Sequence, residues 1–123
     1  MCHQAVSLVA RYLEAAGIPT VLIGSARDIV EECGVPRFLF VDFPLGNPCG
    51  KPWARDMQHS ILGGALDVLE RAWEPRTTVQ RLEVWDADDD HRWRARYMRV
   101  DESNRAELAR TGQERRAEHA RRK

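Results

Sequence analysis

Apolar residues recur at intervals of three and four in the opening stretch, where Val6, Val9, Leu13 and Ala16 line one side of a helix running from Gln4 to Ala16. Gly17 follows, at the position where a helix end favours positive φ. After the Gly17-Ile18-Pro19 turn the period changes. Thr20-Val21-Leu22-Ile23 is a short β-branched run closed by Gly24, apolar enough for a strand buried on both faces of a parallel sheet. Ser25 stands three residues before Asp28, the spacing of a helix-capping pair, and Ile29, Val30 and Cys33 carry a short helix to Gly34 and Pro36. Phe38-Leu39-Phe40-Val41 is the second buried strand, leading through Asp42 into a loop rich in proline and glycine, residues 43–52. A third helix, from about Ala54 to Trp73, places Met57, Ile61, Ala65, Val68, Leu69 and Trp73 on one stripe, and Pro75 ends it.

Strands alternating with helices predict an α/β protein, a small parallel sheet flanked by helices of the Rossmann-like or flavodoxin-like kind, with residues 1–75 as its core. Beyond Pro75, residues 77–85 alternate in polarity as a strand would. Asp86 to Asp90 form an acidic break, and residues 91–100 are expected to return as the second arm of a β-hairpin spanning 76–102. Residues 103–123 are rich in Arg, Glu and Ala with almost no apolar stripe, a charged tail that is either helical or disordered.

Composition narrows the class of protein. With 123 residues, 43% of them hydrophobic, the chain has material for one core. Nineteen basic residues balance nineteen acidic ones, so no overall field draws the molecule to phosphate backbones or anionic lipid. No segment approaches the roughly 20 apolar residues of a membrane span, and nothing at the amino terminus reads as a leader, so a cytoplasmic location is expected. Cys2, Cys33 and Cys49 are odd in number and scattered, which argues for thiols over a disulfide framework. Together with His3 and His59 they have no recognised zinc spacing, and no metal is expected. The run from His91 to Tyr97 interleaves cations with aromatics, but the adjacent acidic residues offset its field, so nucleic acid is not expected as a partner.

Two places carry candidate chemistry. Cys2, with His3 beside it, precedes the first helix, where free backbone N–H groups favour a thiolate, and is the candidate catalytic nucleophile. The loop after the second strand lies at the carboxyl end of a parallel sheet, where such folds bind ligands. There Pro44, Gly46, Asn47, Gly50 and Lys51 are candidate ligand-binding residues, with Gly46, Gly50 and Lys51 offering N–H groups and one charge to an anion. The alternative for the loop is a rigid crossover. Ser25 is either a ligand contact or a helix N-cap, Asp42 a general base or an anchor for the loop, and Cys49 a candidate second thiol.

The stretch from Cys2 through Ala16-Gly17-Ile18-Pro19 to Phe43-Pro44-Leu45-Gly46-Asn47-Pro48 resembles the carboxy-terminal part of the selenoprotein B subunits of glycine, sarcosine and betaine reductases, over residues 2 to about 70. In that family a selenocysteine opens a redox motif, with a cysteine three positions on, ahead of a helix ending in AGIP. Here Cys2 falls at the selenocysteine position and Ala5 at the second cysteine, so the resolving partner is absent. The resemblance implies an oxidoreductase subunit that cleaves a small substituted amino acid reductively, with Cys2 taking a carboxymethyl-like group. It implies no cofactor in this chain, a pyruvoyl group on a partner subunit, and a second copy or a partner subunit completing the sheet. The competing expectation is a non-catalytic interaction or assembly subunit that has lost the redox pair.

Overall fold

The computed structural model describes residues 2–86, 92–97 and 99–121. Its elements are α1 (Cys2–Ala15), β1 (Leu22–Gly24), α2 (Arg27–Cys33), β2 (Arg37–Phe40), α3 (Arg55–Arg71), β3 (Thr77–Gln80), α4 (Trp93–Arg96) and α5 (Arg105–Arg121). The three strands form one parallel sheet in chain order, with β2 in the centre. Leu22 lies opposite Phe38, and Phe38 opposite Thr78. The expected α/β architecture is therefore present.

Successive residues of a strand point to opposite faces, so a central parallel strand needs cover on both sides. β2 shows this residue by residue. Phe38 and Phe40 face Leu22, Val30 of α2 and Val35. Leu39, with Val41 and Phe43 beyond the strand, faces Ile61, Ala65 and Val68 of α3. Leu39, Val41 and Ile61 are completely buried. Ile61, Ala65 and Val68 recur at four and three, which is why this stripe of α3 seals its side of the sheet.

α1 departs from its expected stripe. Ser7 and Ala10 are its buried residues, whereas Val6 and Val9 are about half exposed. The helix approaches α2 and β1, and the residues it buries there are small ones, not the valines. Its carboxyl end is fixed by Glu14, whose Oε1 accepts hydrogen bonds from Thr20 N–H, Thr20 Oγ1 at 3.0 Å and Arg37 Nη1 at 2.6 Å. One carboxylate thus joins the end of α1 to the starts of β1 and β2. Gly17 follows α1 at φ 82°, as its place in the sequence suggested, and Gly34 ends α2 in the left-handed region at φ 69°.

The hairpin expected over 76–102 is corrected. β3 pairs in parallel with β2, and the expected return arm contains α4 instead of a strand. Trp93 and Tyr97 are four residues apart, and their rings meet edge to face at 6.0 Å, a contact that helical spacing produces and strand alternation does not. His91, Met98 and residues 87–90 lie outside the described residues. Of the two expectations for the tail, the helical one holds: α5 runs for 17 residues with polar residues around most of its circumference.

At the far end of β3, Arg81 pairs with Glu83, and Ser60 Oγ of α3 donates to Glu83 Oε1 at 3.0 Å, tying the strand's exit to the helix. The hydrogen bond from Arg81 holds the Glu83 carboxyl below its ordinary value of 4.5. The unfolded chain therefore takes up this proton first as pH falls, so the contribution is present above about pH 4.5 and is lost as pH drops through the lower folded value. Glu83→Gln should accordingly flatten the loss of stability between neutral and acidic pH, read from denaturation midpoints. Leu39→Ala or Ile61→Ala should cost about 2–5 kcal/mol by chemical denaturation, whereas Trp73→Ala, at a side chain 87% exposed, should change stability by less than about 0.5 kcal/mol.

Candidate functional site

The carboxyl ends of the strands are held level by backbone bonds. Val41 N–H donates to Gly24 C=O at 2.9 Å, and Arg81 N–H to Phe40 C=O at 2.9 Å. Ser25 follows directly on β1 and Asp42 comes two residues after the end of β2, so both lie at this edge of the sheet.

The first turn of α1 reaches the same edge through His3. Its Nε2 accepts a hydrogen bond from Ser25 N–H at 3.1 Å. The ring lies where Gly24 has no side chain: a Cβ there would stand 3.0 Å from His3 Cδ2 and 3.2 Å from a ring carbon of Phe38. His3 C=O accepts from Ser7 Oγ at 2.6 Å, and Ser7 is completely buried. Cys2, one residue earlier, is exposed. Ser25 does not cap α2. The N-cap residue is Ala26, with no side-chain cap bond, and Ser25 Oγ is buried with no hydrogen-bond partner among the described residues. The cause is the backbone: β1 ends at Gly24 and helical geometry begins at Arg27, one residue too late for Ser25 to reach the first turn as a cap.

The loop is a built turn. Asn47 N–H donates to Pro44 C=O at 3.0 Å, Gly50 N–H to Asn47 C=O at 3.1 Å, and Gln58 Nε2 to Lys51 C=O at 2.7 Å. Gly46 and Gly50 hold φ of 92° and 107°, which side-chain-bearing residues rarely adopt. Gly50 also lies against Met57 of α3, where a Cβ would stand 3.2 Å away. Its N–H is thus committed inside the loop and is not presented to a ligand. Lys51 Nζ lies 5.5 Å from the centre of the Trp85 ring, and Phe43 meets the same ring edge-on at 5.3 Å. Pro44 is buried, Asn47 half-buried, and Cys49 exposed at the rim.

A second layer comes from α4. Arg94 forms an ion pair with Asp42, and Tyr97 OH donates to Leu45 C=O at 3.1 Å. Asp42 raises the Arg94 guanidinium above its ordinary value through this hydrogen bond. The carboxylate is 14% exposed while the Arg94 side chain remains 56% exposed, so the anchor reading of Asp42 has a visible partner.

The structure therefore groups the expected residues in two sets. Cys2 and Ser25 are joined through His3, while Asp42 and the loop are joined through α4. All three cysteines are free thiols. Among the described residues no three His, Cys, Asp or Glu side chains are grouped to hold a metal ion, and no helix is long and apolar enough to cross a membrane. Sequence reasoning missed the roles of Gly24, Arg94 and Tyr97 and noted His3 only as a neighbour of Cys2. Gly24-Ser25 closing a buried strand was a signal for a close approach, but nothing local points from Arg94 to Asp42, 52 residues away.

These features define an α/β protein whose exposed cysteine adjoins a histidine seated at the carboxyl end of a parallel sheet. The chain is similar to D-proline reductase subunit gamma of Acetoanaerobium sticklandii, with 34% identity over 68 residues. That similarity covers 55% of this chain and 28% of the relative, so the chain spans little more than a quarter of the relative's length. The relative is an amino-acid reductase component, as the resemblance implied at that coarser level, though it is named for D-proline and not for glycine, sarcosine or betaine. No family model and no solved structure matches the chain.

If the Arg94–Asp42 pair holds α4 on the loop, Asp42→Asn should speed tryptic cleavage at Arg94 several-fold with little change in global stability, because the cation is largely solvated. Intact-mass proteolysis time courses check this.

Proposed function

We propose that this chain is a subunit of an amino-acid reductase and that Cys2 is its nucleophile. The observation carrying this reading is the fixation of the Cys2-bearing turn at the carboxyl end of β1 by the His3–Ser25 bond, on the sheet edge where parallel α/β folds bind ligands. The similarity to a D-proline reductase subunit supports the reaction class.

In the proposed step the Cys2 thiolate attacks the carbon bearing the amine of a small substituted amino acid. A carbon–sulfur bond forms as the carbon–nitrogen bond breaks, and the amine leaves with a proton. The carboxymethyl-type group then passes to a nucleophile of a partner subunit, which supplies the reducing equivalents, since Ala5 offers no second thiol here. Ser25 is the candidate substrate contact beside this turn; its Oγ is buried with no hydrogen-bond partner among the described residues, so a substrate reaches it only by displacing the cover over it. Asn47, Lys51 and the Gly46 turn form the rim of the cradle, and Cys49 is the remaining candidate thiol. A pyruvoyl group, where one takes part, belongs to another subunit, and the reaction is cytoplasmic.

A partner subunit or second copy is supported by the end strands β1 and β3, which pair with no further strand among the described residues, and by half-exposed Val6, Leu8 and Val9 on α1. The same surfaces, with Ala5 in place of a second cysteine, favour the alternative of a non-catalytic assembly subunit.

The two readings part on one experiment. Extracts of cells whose own copy carries Cys2→Ser are assayed with a dithiol donor for reduction of D-proline, glycine, sarcosine and betaine, beside a deletion strain. The nucleophile reading expects Cys2→Ser to match the deletion on at least one substrate. Full activity in Cys2→Ser, with loss only on deletion, leaves the assembly reading.

A further inference from the structure

We infer that His3 is a positioning residue for Cys2, acting through a fixed tautomer; its importance to catalysis rests on the reading of Cys2 given above. Four observations converge on this ring. Nε2 accepts Ser25 N–H at 3.1 Å. Gly24 leaves the space the ring fills, since a Cβ at that position would stand 3.0 Å from Cδ2 and 3.2 Å from Nε2. The His3 carbonyl is held by the buried Ser7 hydroxyl at 2.6 Å. Among the described residues no hydrogen bond is formed at Nδ1.

An imidazole nitrogen that accepts a hydrogen bond carries no hydrogen, so the neutral ring bears its hydrogen on Nδ1. The backbone at the end of β1 thereby selects the tautomer and the orientation of the ring together. The ring in turn fixes the first turn of α1, whose free N–H groups act on the adjacent sulfur. Without the bond the buried residues of α1 nearest this turn are Ser7 and Ala10, and the other polar ties of the helix, at Arg11 and Glu14, lie two turns or more away. Cys2 is already exposed, so loosening the turn adds no access to the thiol. It removes oriented N–H groups from the thiolate, and alkylation slows. His3 therefore acts on geometry, in contact with the sheet and not with substrate.

The test uses the whole chain as wild type, His3→Ala and His3→Gln, the last keeping an acceptor oxygen near the place of Nε2. Nitrogen NMR of His3 reports the tautomer, amide exchange at Ser25 reports the bond, and the iodoacetamide rate of Cys2 is divided by that of Cys49 in the same molecule. The wild type should show the Nδ1–H form. His3→Ala should speed Ser25 exchange by about tenfold, as loss of one hydrogen bond allows. It should also lower the Cys2:Cys49 ratio by roughly threefold, the scale of a helix-terminus interaction, and His3→Gln should restore both. Gly24→Ala, whose Cβ would stand 3.0 Å from the ring and displace it slightly, should move both readouts in the direction of His3→Ala by a smaller amount. Amide exchange at Leu39, in the core, checks that each variant is folded.

An Nε2–H tautomer, an unchanged or raised Cys2:Cys49 ratio in His3→Ala, or failure of glutamine to rescue overturns the inference. None of these readouts depends on reductase activity, so loss of the nucleophile reading in the Cys2→Ser strain leaves them standing as an independent result.

Discussion

The burial of β2 on both faces is the constraint from which the rest of the structure follows. A central parallel strand forms its hydrogen bonds only to strands that lie beyond crossover connections, and each face must be covered by what those connections supply. Phe38 and Phe40 require α2 on one side, and Leu39 and Val41 require α3 on the other. The two core clusters differ in depth. The α3 side gathers most of the fully buried side chains, including Leu39, Val41 and Ile61, while the α2 side is closed by Val30, Val35 and the two phenylalanines.

That sheet also explains why chemistry-bearing residues gather at one edge. Strands that run in parallel end together, so the residues that follow β1 and β2 emerge side by side, with the Val41–Gly24 bond keeping them level. α1, which precedes the sheet in sequence, meets this edge through His3, whose ring occupies the place of a missing side chain at Gly24. A glycine at the end of a buried strand thus does two jobs. It closes the strand, and it admits a side chain from another element to the strand's carboxyl end.

The loop after β2 is fixed from within and from above. Its own backbone bonds and the two positive-φ glycines set its shape, Phe43 roots it in the core, and α4 lies against it through Arg94 and Tyr97. The Gly50 N–H, which the sequence offered to an anion, is spent on that internal turn. Next to β1, Ser25 Oγ is buried with no hydrogen-bond partner among the described residues, as is Trp93 Nε1 on α4.

Residue pattern alone determined the order of helices and strands as far as α3, the parallel arrangement of β1 and β2, the Ile61, Ala65 and Val68 stripe and the positive φ of Gly17, because each depends on local period or on glycine's freedom of φ. It also placed Cys2 at the start of a helix, and Ser25 and Asp42 after strands whose carboxyl ends in a parallel sheet fall on one edge. The pattern misjudged α1, since the period of Val6, Val9 and Leu13 identifies an apolar side but not whether a neighbour is present to cover it. It read residues 91–100 as a strand because alternating charge and aromatic residues suit a strand as well as a helical turn. Only the tertiary structure decided that His3 meets Ser25, that Arg94 meets Asp42 and that Ser25 is not a cap. These contacts join residues 22 or 52 positions apart, or hinge on one residue of register, and no local pattern carries information about what the folded chain brings across such distances.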